Sequence, residues 1–459
     1  MLSVASEASL REAPKNLSIW CERAWLGGDS LADGVLLTVF DGVFASVTAG
    51  VAPPPGAERV RGLVLPGIAN AHSHAFHRAL RGRTHAGAGS FWTWRDQMYA
   101  LATRLDPDSY CALATAVFAE MVLAGYTSVG EFHYLHHGRG GVPYADPNAM
   151  SVALIDGAQA AGIRLTLLDT CYLDGGFGTP LNDVQQRFSD GSVDVWAERN
   201  DRMDSFSSST LRMGAAIHSV RALSFGQMTS VASWAAGRAC PLHAHVSEQP
   251  AENEACLAHT GRTPTGLLAD AGAVMSSFTA VHATHLTDAD VAIYGAAKAT
   301  ACLCPTTERD LADGIGPSAG LVLAGACLCI GSDSHAVIDP FEELRAIEAH
   351  QRLRTHMRGV HRPSDLLHSG AADGYRSIGW NGGALAAGAV ADLVVVDPSS
   401  VRLAGCDVSS VSSVVFAASA ADVRDVMVDG RWVVREGCHG SVDAPFALMA
   451  SIESLWSGS

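Results

Sequence analysis

Two histidines one residue apart, His72 and His74, follow the apolar run Gly62–Ile68. Alternation along a strand sends residues i and i+2 to the same face, so the two imidazoles project together, as a metal ion requires. With 19 histidines in the chain, the pair alone reads equally well as ordinary strand-end polar residues. Its companions are more specific. His245 closes the run Cys240–His245, His282 follows Phe278–Val281, and Asp333 follows Ala326–Ile330. His72, His74, His245 and Asp333 make a nitrogen and carboxylate donor set without thiolate. Such a set suits one divalent metal, Zn²⁺ foremost, with a position open to water. A metal there lowers the pKa of water toward neutrality and supplies a nucleophile. Glu248, three residues beyond His245, is placed to shuttle protons. His282 would stabilise charge at the reacting centre, and Asp333 would accept the proton of the attacking water.

A second group points to the substrate. Arg95 ends the aromatic segment Ser90–Arg95, Tyr134 follows the run Thr127–Phe132, and His218 and Arg221 follow Leu211–Ile217. Two arginines near a metal, in a chain of formal net charge −16, imply a small anionic substrate held by bidentate hydrogen bonds. Singly, Arg95 also reads as a cation–π partner of Trp92 or Trp94, and Arg221 as a surface charge. Trp92 and Trp94 read as packing residues.

The elements that must position these residues are eight short apolar runs: Gly62–Ile68, Thr127–Phe132, Ile163–Leu168, Leu211–Ile217, Cys240–His245, Phe278–Val281, Thr300–Cys304 and Ala326–Ile330. Helix-like sequence fills most intervals. The clearest is Asp106–Leu123, with Asp106 and Asp108 suited to its first turn and Gly125 to its end. Apolar strands alternating with helices indicate a parallel sheet covered on both faces. A (β/α)8 barrel and a doubly wound open sheet both fit that pattern. The chemistry-bearing residues follow six of the eight runs, and barrel enzymes keep their chemistry at the carboxyl ends of strands. The barrel is therefore expected over residues 62–383. Residues 16–61 and 384–437 carry alternating β patterns, and the flanks 1–61 and 384–459 are expected to form one small β-sandwich from both termini.

Composition sets limits. The 459 residues are 48% hydrophobic and 17% charged, a globular balance. The negative charge argues against nucleic acid or an anionic membrane as partner. Eleven cysteines, an odd number without a paired framework, read as free thiols in a reducing cytoplasm. Cys302-x-Cys304 and Cys327-x-Cys329 lie in apolar stretches and read as buried small hydrophobes. No secretory signal and no membrane span is expected.

On these motifs the chain resembles the amidohydrolase superfamily over nearly its whole length, the closing segment Gly383–Val394 included. The His-x-His, His-x-x-Glu, single His and single Asp pattern is similar to that of mononuclear deaminases. The binuclear branch bridges its metals with a carboxylated lysine, and the only lysines here are Lys15 and Lys298, neither at the end of strand 4. The segments around Arg95, Tyr134 and His218–Arg221 resemble those of formimidoylglutamate deiminases of histidine degradation. That resemblance implies hydrolysis of N-formimino-L-glutamate to N-formyl-L-glutamate and ammonia, and a homodimer. It assigns Arg95, Tyr134, His218 and Arg221 to the glutamate part, and Glu248, His282 and Asp333 to the formimino carbon. It also assigns a substrate contact to the position of His77, where those relatives carry glutamine. The rival readings are a deaminase of a heteroaromatic base, stacking its ring on Phe91, Trp92 and Trp94, and a non-catalytic barrel scaffold.

Overall fold

A computed structural model describes residues 16–85 and 89–457. Eight strands in chain order build its central barrel: β1 (Ile68–Ser73), β2 (Tyr126–His133), β3 (Arg164–Cys171), β4 (Leu211–Ile217), β5 (Leu242–Val246), β6 (Phe278–His282), β7 (Thr300–Leu303) and β8 (Cys327–Ile330). Each pairs in parallel with the next. Every residue of β1, β2 and β3 is buried, as strands covered on both faces require. The ring closes through backbone groups just past β8. The Asp333 N–H donates to the His72 carbonyl at 3.0 Å, and the His74 N–H donates to the Asp333 carbonyl at 3.3 Å.

The helix expected after the first strand spans Pro107–Ala124. Asp106 caps it, accepting from the Ser109 N–H at 2.9 Å. Gly125 ends it with φ +104°, a left-handed conformation open to glycine at little cost.

The first apolar run is divided differently from expectation. Strand Glu58–Pro66 lies in the flanking sheet, parallel to Asn16–Ala24 and antiparallel to Leu393–Val396. The barrel strand begins only at Ile68, six residues later than the run Gly62–Ile68 implies. Pro66 cannot donate to a ladder. Gly67 permits the crossing: a Cβ there would meet the Thr127 Oγ1 and the Tyr375 hydroxyl, each at 2.5 Å.

Both flanks meet in one eight-stranded sheet. Its order runs Cys438–His439, Arg431–Arg435, Val423–Val428, Leu393–Val396, Glu58–Pro66, Asn16–Ala24, Ala32–Phe40, Val43–Thr48. Ile19, Leu37, Phe44, Val395 and Met427 share its apolar core. The last helix, Ala444–Trp456, lies beyond the β patterns, which end at residue 437. It returns to the barrel side, where the Leu455 carbonyl accepts from Arg104 and the Trp456 indole N–H donates to the Ala79 carbonyl.

All eleven cysteines are free, and burial pushes the thiols of Cys302, Cys304 and Cys329 well up, keeping them protonated. Among the described residues no helix is long and apolar enough to cross a membrane.

A buried ion pair joins the barrel to the sheet. Arg164 on β3 grips Asp392 with two N–H···O bonds of 2.8 and 2.9 Å. Asp392 also accepts from the Tyr375 hydroxyl at 2.6 Å and the Asp429 N–H at 2.7 Å. Removing one partner of such a pair strands a buried charge. Asp392→Ala is therefore expected to lower unfolding stability by about 3–5 kcal/mol in denaturant titration. A loss below about 1 kcal/mol, the scale of an exposed pair, would show the joint to be structurally idle.

Candidate metal centre and active site

Three strand ends converge at the closing seam. His72 lies on β1 and His74 just beyond it, His245 lies on β5, and Asp333 follows β8. His72 Nε2 and His74 Nε2 stand 3.2 and 3.5 Å from Asp333 Oδ1. His245 Nε2 is 3.2 Å from His72 Nε2 and 3.3 Å from His74 Nε2. Four donors bound at about 2.0–2.1 Å to a central ion in a tetrahedron lie about 3.4 Å apart, so these spacings fit a Zn²⁺-sized ion.

The rings are already oriented. His74 Nδ1–H donates to the Phe132 carbonyl at 2.9 Å, and His245 Nδ1–H donates to the His218 carbonyl at 2.9 Å. Each bond fixes the tautomer that leaves Nε2 as the ligand atom. His72 Nδ1 is buried and has no partner among the described residues. Burial lowers the pKa values of His72, His74 and His245, keeping them as neutral ligands. Burial alone would raise that of Asp333, but His72 and His282 hold it well below the usual carboxylate range.

Aiming these side chains inward strains the backbone. Ser247, His282, Ala283, Asp333 and His335 all have φ between +42° and +68°. Non-glycine residues pay for that conformation, and it clusters where function demands it.

Beside the four donors sits a proton-transfer group. His282 Nε2 lies 3.6 Å from Glu248 Oε1 and 3.9 Å from Asp333 Oδ2, while its Nδ1 faces Glu308 Oε1 at 3.7 Å. Burial pulls the His282 pKa down, but Glu248, Glu308 and Asp333 together carry it above its ordinary value. Burial raises that of Glu248. The pair can thus hold and pass a proton.

His77, Arg95, Tyr134, His218 and Arg221 line one cavity with His74, His245, Glu248, His282 and Asp333, and His72 is buried beneath it. Arg95 does two things at once: its guanidinium lies over the Trp92 ring at 4.5 Å, and its buried Nε has no partner. Arg221 Nε is likewise unpartnered, with Glu252 at 3.9 Å. His77 Nε2 is 2.9 Å from the Tyr134 hydroxyl. Trp92 is 41% exposed, so it is no core residue, while Trp94 faces the cavity against His77.

The sequence reading missed several residues. Tyr172 directly follows β3 and lines the cavity, so the strand-end argument that found Tyr134 could have found it. Tyr99 lies one helical turn beyond Arg95 on helix Phe91–Ala102, a spacing that shares a face. Glu308 sits on the six-residue helix Pro305–Asp310, and no local signal marks it.

Residues 63–433 match the amidohydrolase family. The chain belongs to that family. It is 41% identical over 413 residues to the formimidoylglutamate deiminase of Pseudomonas aeruginosa, covering 87% of this chain and 90% of that one. It is 26% identical to a 5-methylthioadenosine/S-adenosylhomocysteine deaminase of Halobacterium salinarum, covering 83% and 84%. An amidohydrolase from Brucella melitensis superposes with a TM-score of 0.87 at 33% identity, covering 96% of this chain and 100% of that one. An adenosine deaminase from Xanthomonas campestris with bound zinc shares the fold, with a TM-score of 0.81 at 22% identity over 96% and 98%.

Amidohydrolases are typically metal-dependent, and the four-donor group of this one can hold such an ion. Of the lysines that bear on a bridged metal pair, Lys298 caps helix Asp288–Ala297 just ahead of β7, at the amino end of the strands. Lys15 lies outside the described residues. The purified amidohydrolase is expected to carry one divalent ion per chain by elemental analysis. His245→Ala should drop that content severalfold, whereas Glu308→Gln, which touches none of the four donors, should retain it. Equal metal content in His245→Ala and wild type would place the ion elsewhere.

Proposed function

We propose that this amidohydrolase hydrolyses N-formimino-L-glutamate to N-formyl-L-glutamate and ammonia, a step of histidine degradation. The observation that carries the reading is the pairing of two arginines, each with an unpartnered buried Nε–H, with a four-donor centre in one cavity. A substrate with two carboxylates and an amidine matches both ends. The formimidoylglutamate deiminase of Pseudomonas aeruginosa, at 41% identity, supports the same reaction.

His72, His74, His245 and Asp333 would hold the metal, Zn²⁺ in this reading, and that ion supplies the Lewis acidity that activates water near neutral pH. Arg95 and Arg221 bind the substrate carboxylates, with Tyr134, His218 and His77 completing the wall. Asp333 accepts a proton from the attacking water as its oxygen bonds to the formimino carbon. His282, held by Glu248 and Glu308, stabilises the charge of the tetrahedral state. Glu248 delivers a proton to the terminal nitrogen. The proton held by Asp333 passes to the same nitrogen and the hydroxyl proton passes back to Glu248, so the C–N bond breaks, ammonia leaves and the formyl C=O forms with both carboxyl groups restored.

A heteroaromatic base has one observation in its favour, since Phe91 and Trp94 line the cavity. A neutral base would nevertheless leave both arginine donors unmatched, at a cost of about 1–3 kcal/mol or more each. A scaffold without catalysis has no use for four converging ligand atoms.

Ammonia release from N-formimino-L-glutamate, with no comparable release from purines, is the expected result. Asp333→Ala and Glu248→Gln should each lower kcat by about 10²–10⁴. Arg221→Ala should act mainly on KM. Release from purines alone, or near wild-type rates with either carboxylate removed, would contradict the reading.

A further inference from the structure

A buried amide at the cavity wall determines which way two phenols can donate. Gln185, on the turn Gln185–Phe188 beyond β3, accepts from the Asn182 backbone N–H through Oε1 at 2.9 Å. A backbone N–H can only donate, so the amide orientation is settled and its NH₂ faces the other way. That NH₂ donates to the Tyr172 hydroxyl at 2.8 Å and the Tyr99 hydroxyl at 3.2 Å. Both phenol oxygens are thereby occupied as acceptors, and both keep an O–H to place. Tyr99 and Tyr172 also contact each other, which uses one of the two protons. Among the described residues nothing accepts the other.

Both tyrosines line the cavity. The Arg95 guanidinium lies 5.4 Å from the Tyr99 ring, and the Tyr172 ring is 4.5 Å from that of His218. Burial, then Tyr99 beside it, raises the Tyr172 hydroxyl above the usual range, so it remains a donor. The cavity is thus lined by Arg95, Arg221 and a phenol pair with one spare O–H.

We infer that the Tyr99–Tyr172 pair, set by Gln185, is a further specificity element that donates its one free hydroxyl hydrogen to a substrate carboxylate and so selects carboxylate-bearing amidines. The inference rests on the proposed reaction and adds to it a contact that none of the sequence motifs marks. Gln185 acts through the phenols as a positioning residue. Changing it to glutamate would replace donors by acceptors, turn the hydroxyls away from the cavity and set a negative charge behind them.

The test is steady-state kinetics of ammonia release from N-formimino-L-glutamate by the metal-loaded wild type, the Tyr99→Phe/Tyr172→Phe double variant, Tyr99→Phe and Gln185→Glu, with thermal melting of each. Loss of the donor to a charged group is expected to raise KM about 10- to 100-fold in the Tyr99→Phe/Tyr172→Phe double variant, with kcat within about threefold. Gln185→Glu should raise KM at least as far, and the Tyr99→Phe protein should melt close to wild type. KM values within about twofold of wild type in all three variants would overturn the inference while leaving the proposed reaction intact. A wild type inactive on this substrate would instead overturn the proposed reaction, and the inference with it.

Discussion

Two backbone hydrogen bonds close the barrel, and they are made by the residues that offer their side chains to a metal. The Asp333 N–H reaches the His72 carbonyl, and the His74 N–H reaches the Asp333 carbonyl. The seam between β1 and β8 therefore also fixes the spacing of three of the four donors. An eighth strand out of register would open the ring and scatter the ligand atoms together. This coupling also explains why Asp333 tolerates φ +42°: closure and ligation together over-determine a conformation that would otherwise relax.

From that seam the chemistry grades outward. Burial keeps the three imidazole donors neutral, and the Phe132 and His218 carbonyls hold two of them, His74 and His245. Next comes the carboxylate-rich surround of His282, where opposing charges keep a proton available. Beyond it, Arg95 and Arg221 line the cavity, each with a buried Nε–H that makes no hydrogen bond. Such a lining is costly until an anion fills it, because each buried unmatched donor forfeits its hydration. That cost favours a dianionic substrate over a neutral one of similar size.

The sequence made the barrel and its polar rim legible because both depend on local pattern. Apolar runs mark strands, and a histidine or aspartate after each marks a carboxyl end. All ten cavity residues named from sequence line one cavity, with His72 beneath them. What it concealed is non-local. The end of the first run at Pro66 is set by a crossing that brings Gly67 against Thr127, Tyr375 and Asp392, far apart in the chain. Gln185 and Glu308 act only through partners brought near by the fold. The terminal helix Ala444–Trp456 lies past the last β pattern, where no motif marks it.

The most direct test of this account is anomalous diffraction from crystals of the metal-loaded protein, recorded at the absorption edge of the bound ion. One peak is expected, within coordination distance of His72 Nε2, His74 Nε2, His245 Nε2 and Asp333 Oδ1. A peak held instead by Glu248, His282 and Asp313, which also lie within ligand reach of one another, would contradict it. So would a second peak of equal weight.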